Sequence, residues 1–158
     1  MTAGANELNQ SQKGRIGERI TGAAIEGFGW SANRDPTEGY DIVLKKGKTV
    51  LFCQVKAAEE KKGKSLRFNC SVPGGKGKRL PCPEDYDILA LVSLANRRVF
   101  FMPVEDIDKH ILTLNPNIFK ACFEETSFYQ STDHAVQQRK KEEAQPYEED
   151  GVITVESR

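Results

Sequence analysis

The stretch that most restricts the fold is Val50-Leu51-Phe52-Cys53-Gln54-Val55-Lys56. It is apolar for most of its length, as a strand is when both faces of its sheet are covered. Two polar residues interrupt it, Gln54 and Lys56, and because strand side chains alternate, both fall on one face. A polar pair in such a strand is costly unless something satisfies it. The chain therefore requires a sheet with this strand inside it, and a use for the pair.

The flanking sequence supplies neighbours for that strand. Residues 40–44 read as a second strand, preceded by the turn-rich GWSANRDPTEG and joined to residues 49–56 through Lys45-Lys46-Gly47-Lys48 as a β-hairpin. Upstream, Ile16, Ile20, Ala23, Ala24 and Gly27 recur at helical spacing and predict an amphipathic helix over about 9–27. Gly14, Gly17 and Gly22 each cost that helix about 1 kcal/mol against Ala, so close packing is expected to account for them.

Downstream, residues 66–70 read as a further strand, and residues 72–79 as a loop too rich in glycine for regular structure. Residues 87–94 and 98–102 form a close strand pair around Ala95-Asn96-Arg97. Pro103 pre-sets a first helical turn and the acids after it favour the positive end of a helix, predicted to run to about Leu112. Beyond Asn115 the pattern weakens, and residues 137–150 are almost wholly polar, as in an exposed helix or a mobile tail. At 158 residues the chain has the size of one domain, a mixed α/β fold with a central sheet. We place that domain over 9–130 and a polar, acidic extension over 131–158.

The hairpin sets Asp41 beside Gln54, and a helix packed across the sheet there would add Glu18. Carboxylate and amide oxygens are the hard ligands that Mg²⁺ prefers, and a lysine beside them can polarise a phosphate oxygen or assist an attacking water. GRIGERI, then GYDIVL, then a turn, then LFCQVKAA resembles the PD-(D/E)XK nucleases over roughly residues 13–58.

The resemblance implies a restriction-endonuclease-like mixed central sheet flanked by helices. It also implies a Mg²⁺-dependent (or Mn²⁺-dependent) endodeoxyribonuclease leaving 5′-phosphate ends. Carried over by position, Glu18 and Asp41 would be metal-associated acids, Gln54 a neutral ligand or orienter, and Lys56 the catalytic lysine. Tyr40 stands where the family has proline, and Gln54 stands where an acid is commoner; small intron-type homing endonucleases with a QxK motif are the nearest subtype. A Holliday-junction resolvase is the nearest enzymatic rival. A nuclease-fold module that binds DNA or protein without cutting is another, with Gln54 as the trace of lost catalysis, and homodimers or higher oligomers are expected because two strands must be cut.

Formal net charge is zero, yet the basic residues are segregated. Lys61, Lys62, Lys64, Arg67, Lys76, Lys78 and Arg79 follow one another without an intervening acid, whereas Glu142, Glu143, Glu148, Glu149 and Asp150 gather near the end. Such a basic surface can contact DNA phosphates locally. Hydrophobic residues at 38% and charged residues at 29% match a soluble globular protein. No apolar run approaches the roughly 20 residues of a membrane span, and residues 1–15 lack a signal-peptide core, so a cytoplasmic location without membrane contact is expected. Cys53, Cys70, Cys82 and Cys122 are scattered and expected to be free thiols, and His110 and His134 have no metal-ligand spacing.

Overall fold

The computed structural model describes residues 7–35, 40–61, 64–144, 147–149 and 152–154. Helix α1 spans Gln10–Gly27 and is opened by a capping box, in which Asn9 accepts from the Gln12 amide and the Gln12 side chain accepts from the Asn9 amide. Strands β1 (Ser31–Arg34), β2 (Ile42–Lys46) and β3 (Thr49–Ala58) follow as an antiparallel meander. Strands β4 (Leu66–Asn69), β5 (Val72–Gly74) and β6 (Gly77–Arg79) lead to the hairpin β7 (Ile88–Ser93) and β8 (Arg98–Pro103). Then come β9 (Ile111–Leu114), helix α2 (Ala121–Ala144), and a short pair, β10 (Tyr147–Glu149) and β11 (Val152–Thr154).

The main sheet has five strands in the order β1-β2-β3-β7-β8. The β3–β7 pair is parallel and the others antiparallel, so the sheet is mixed and β3 lies at its centre. Alternation along β3 divides two cores. Leu51, Cys53 and Val55 pack with Ile25, Trp30 and Phe128, on the face that carries both helices. On the other face Phe52 and Ala58 pack against a cluster that includes Phe68, Tyr86 and Leu91, capped by the β4–β9 ribbon.

The amphipathic face of α1 is rotated from the one expected. Gly17, Thr21 and Ile25 are buried, whereas Ala23 and Gly27 are exposed. A Cβ on Gly17 would stand 2.9 Å from the Ala57 Cβ, so this glycine lets the helix lie on β3. Gly14 and Gly22 meet nothing within 4 Å, and close packing does not account for them.

Three other expectations are corrected. Residues 72–79 form a regular hairpin, because Gly77 takes a positive φ of 112° and closes the two-residue loop Gly75-Lys76 between Gly74 and Gly77. The helix expected after Pro103 amounts to one 3-10 turn, Val104–Asp106, that buries Val104. Residues 111–114 instead pair with β4.

The polar region after Asn115 holds a long ordered helix, and the boundary expected between 130 and 131 falls inside it. Its buried face is mostly polar: Glu124, Ser127, Phe128, Ser131, Thr132 and Ala135. Two of these close the outer edge of β8, where the Val99 amide donates to Glu124 (2.9 Å) and the Phe101 amide to Ser127 (3.0 Å). A buried amide without an acceptor costs about 1–3 kcal/mol, so these side chains do the work of a sixth strand. The four cysteines are unpaired. Among the described residues no helix is long and apolar enough to cross a membrane.

The glycines of α1 should separate in a denaturation series. Gly17→Val is expected to cost about 1–3 kcal/mol through overpacking against Ala57. Gly14→Ala and Gly22→Ala, with open space around them, should each gain up to about 1 kcal/mol from helix propensity. Equal effects at all three positions, measured by urea unfolding, would refute the close approach at Gly17.

Candidate active site

Strand β3 outruns β2. Their register ends at Ile42↔Cys53, so Asp41 stands opposite Gln54 at the point where the two strands part. Beyond that point the Val55 amide, which a longer β2 would have engaged through its backbone, donates to Asp41 Oδ2 at 2.9 Å. The Asp41 amide in turn donates to the Cys53 carbonyl at 2.9 Å. Asp41, Gln54 and Lys56 thus share one cleft of about 280 Å³, walled on its far side by Cys70, Ser71, Val72, Pro73 and Tyr86. The expectation that the hairpin sets Asp41 beside Gln54 is met by this register.

Glu18 reaches the site differently. It belongs to α1 and does not line this cleft. Its Oε1 accepts from Arg34 Nε at 2.8 Å. Its charge is nevertheless felt at Asp41, whose carboxyl is held above its ordinary value chiefly by burial and further by Glu18; the Val55 amide, Lys56 and Arg34 pull the other way. Among the described residues no three His, Cys, Asp or Glu side chains gather to hold a metal ion. A cation here would rest on Asp41 and Gln54, with Glu18 shared from Arg34. Those oxygens suit a hard ion such as Mg²⁺ better than a soft one, and a desolvated carboxylate beside a second anion is where such an ion relieves most charge.

A second aspartate mirrors Asp41 on the other edge of β3. The Phe52 amide donates to Asp87 Oδ2 at 2.9 Å, and the Asp87 amide to the Phe52 carbonyl at 2.9 Å. Arg139 of α2 holds the same carboxylate at 2.8 Å and lies over the Phe52 ring, 5.7 Å from its centre. Phe52 also packs on Tyr40, with ring centres 4.4 Å apart. Sequence reasoning missed this brace. Its signal was present, because Tyr-Asp-Ile occurs twice, at residues 40–42 and 86–88, each time at a strand start.

The basic residues divide into two groups. Lys61, Lys64 and Arg67 line a larger cleft of about 690 Å³ with Lys13, and Lys56 lines both this cleft and the smaller one. Lys62 lies outside the described residues. Lys76, Lys78 and Arg79 sit on or beside β6 and are exposed. Arg79 is engaged by a two-pronged bond to Asp85, at 2.8 and 2.7 Å, which holds the Asp85 carboxyl down to about 2.

No family model and no curated protein sequence matches the chain. Among solved structures it is similar to a bacterial homing endonuclease, I-Ssp6803I, with a TM-score of 0.65 and 14% identity, over 83% of this chain and 99% of that one. The likeness gives the fold: a homing-endonuclease-like mixed α/β architecture.

The position of Asp41 has a cost that pH should reveal. Its folded-state value lies above the unfolded one, so the ionised carboxylate destabilises the fold once pH exceeds the unfolded value of about 3.9, and the cost vanishes below it. Asp41→Asn keeps an acceptor for Val55 and removes the charge. Without divalent ions it should melt above the wild type at pH 7, and the gap should close on acidification below about pH 4. A variant that melts lower at pH 7 would show that burial and Glu18 do not govern this carboxylate.

Proposed function

We propose that this chain is a metal-dependent endodeoxyribonuclease of the PD-(D/E)XK kind, acting on double-stranded or branched DNA in the manner of a homing endonuclease. The observation that carries the reading is the convergence of Asp41, Gln54 and Lys56 where β2 leaves β3, with a cleft open above them. Asp41 and Gln54, joined by Glu18, would hold Mg²⁺ or Mn²⁺. When bound, such an ion supplies Lewis acidity toward a phosphoryl oxygen and lowers the pKa of a coordinated water. Lys56, which lines both clefts, would neutralise a phosphate oxygen as charge develops in the transition state. Lys61, Lys64 and Arg67 offer positive charge for the phosphates beyond it, with Lys13 paired to Glu59 at 3.4 Å in the same cleft, and such charge positions a strand without reading its bases. Cutting both strands of a duplex calls for two such sites, so a pair of copies is part of the reading.

A DNA-binding module that does not cut is the second reading, favoured by the Glu18–Arg34 pair and the neutral Gln54. Plasmid nicking with Mg²⁺ or Mn²⁺ separates the two. Wild type should nick, Asp41→Asn should not, and Lys56→Ala should lose at least about a hundredfold in rate, the scale of a lost transition-state contact. Intact plasmid with wild-type protein at saturating metal would leave the second reading standing.

DNA affinity should fall steeply with salt. Replacing Lys61, Lys64 and Arg67 together by Ala should reduce the slope of log K against log salt by about 2 to 3, near 0.9 for each lost phosphate contact on duplex DNA. An unchanged slope would remove the larger cleft from the DNA path.

A further inference from the structure

The wall of the smaller cleft that faces Asp41 carries Ser71, and Ser71 is bonded to a histidine. Its Oγ lies 2.7 Å from His110 Nδ1. Backbone contacts fix the pair from both sides: the Cys70 amide donates to the His110 carbonyl at 2.7 Å, and the Ser71 amide to Asn69 Oδ1 at 3.1 Å. The loop is therefore anchored without the side-chain bond. His110 is exposed, and its Nε2 has no partner among the described residues.

Proton counting shows what the pair presents. If the Ser71 hydroxyl donates to Nδ1, the neutral ring carries its proton on Nε2 as a donor to solvent. If Nδ1–H donates to Oγ, the hydroxyl proton is released toward the cleft. When the ring is charged, both donors are present together with a positive charge. In each state the pair offers a donor seeking an oxygen acceptor, and Ser71 lines the cleft that Lys56 also lines. We infer that Ser71 and His110 form a phosphate-binding point at the wall of the cleft, holding a phosphodiester of a DNA strand that passes over Lys56. The inference takes DNA as ligand from the nuclease reading and does not require cleavage.

The test uses the full chain with a 20-base-pair duplex in EDTA at pH 7, where nothing is cut. The protein has two histidines, so ¹H–¹³C ring signals are assigned with a His110→Gln variant. The His110 signals should shift with added duplex along the binding curve measured by anisotropy, while those of His134, which is bonded to Glu105 at 3.2 Å, stay in place. Ser71→Ala should weaken binding by about three- to tenfold and Ser71→Thr should restore it, the range of one lost hydrogen bond. Duplex binding that leaves the His110 signals unmoved overturns this inference and spares the nuclease reading. Absence of duplex binding overturns this inference and the double-strand part of the nuclease reading. A His110 shift in a protein that never nicks plasmid supports the phosphate point and overturns catalysis alone.

Discussion

Two carboxylates holding one strand organise this molecule. Strand β3 is paired with β2 over Thr49–Cys53 and with β7 over Cys53–Ala58, and where each pairing stops an amide is left for a side chain to satisfy. Asp87 takes the Phe52 amide on the β7 edge and Asp41 takes the Val55 amide on the β2 edge. An unmet buried amide costs about 1–3 kcal/mol, so these bonds fix where backbone pairing stops. On the β2 side, stopping the pairing opens the sheet, and the opening is the cleft. The same carboxylate that ends the strand pairing is the acid on which the proposed chemistry depends.

The electrostatic setting follows from that double duty. A carboxylate placed to bond a strand amide is partly withdrawn from water, and Glu18 nearby raises its proton affinity further. Lys56 and Arg34 offset part of this, with Arg34 held to Glu18. Asp87, by contrast, is paired directly with Arg139 at 2.8 Å. Of two similarly placed aspartates, one is neutralised within the chain and the other retains a deficit of positive charge. In the proposed reading a bound cation makes up that deficit.

How much of this could be read from sequence depends on where the signal lies. The Gln54–Lys56 pair was legible because strand alternation puts polar residues in conflict with an apolar environment, and Asp41 because a hairpin makes neighbours of residues close in sequence. Register and mixed α/β class followed. Helix α2 was not legible as a packed element, since Glu124, Ser127, Ser131 and Thr132 outnumber Phe128 and Ala135 on its buried face, and two apolar residues make no hydrophobic period. Residues 111–114 form β9 because β4, more than 40 residues earlier, offers an edge to pair with. Local propensity carries no information about such a partner. Arg139 and Asp87, 52 positions apart, were unreadable for the same reason.

The closing of β8 by α2 also bears on the order in which the chain becomes safe from its own kind. The β7–β8 hairpin is local and can form as soon as residue 103 is available, but its outer amides are met only when the 24-residue helix docks. Until then an apolar strand containing Val99 and Phe101 presents an open edge, the usual template for pairing with another molecule. The docking of Glu124 and Ser127 is therefore the step after which edge-to-edge association at β8 is blocked, and a chain that folds its sheet faster than it seats its last long helix passes through an aggregation-prone interval.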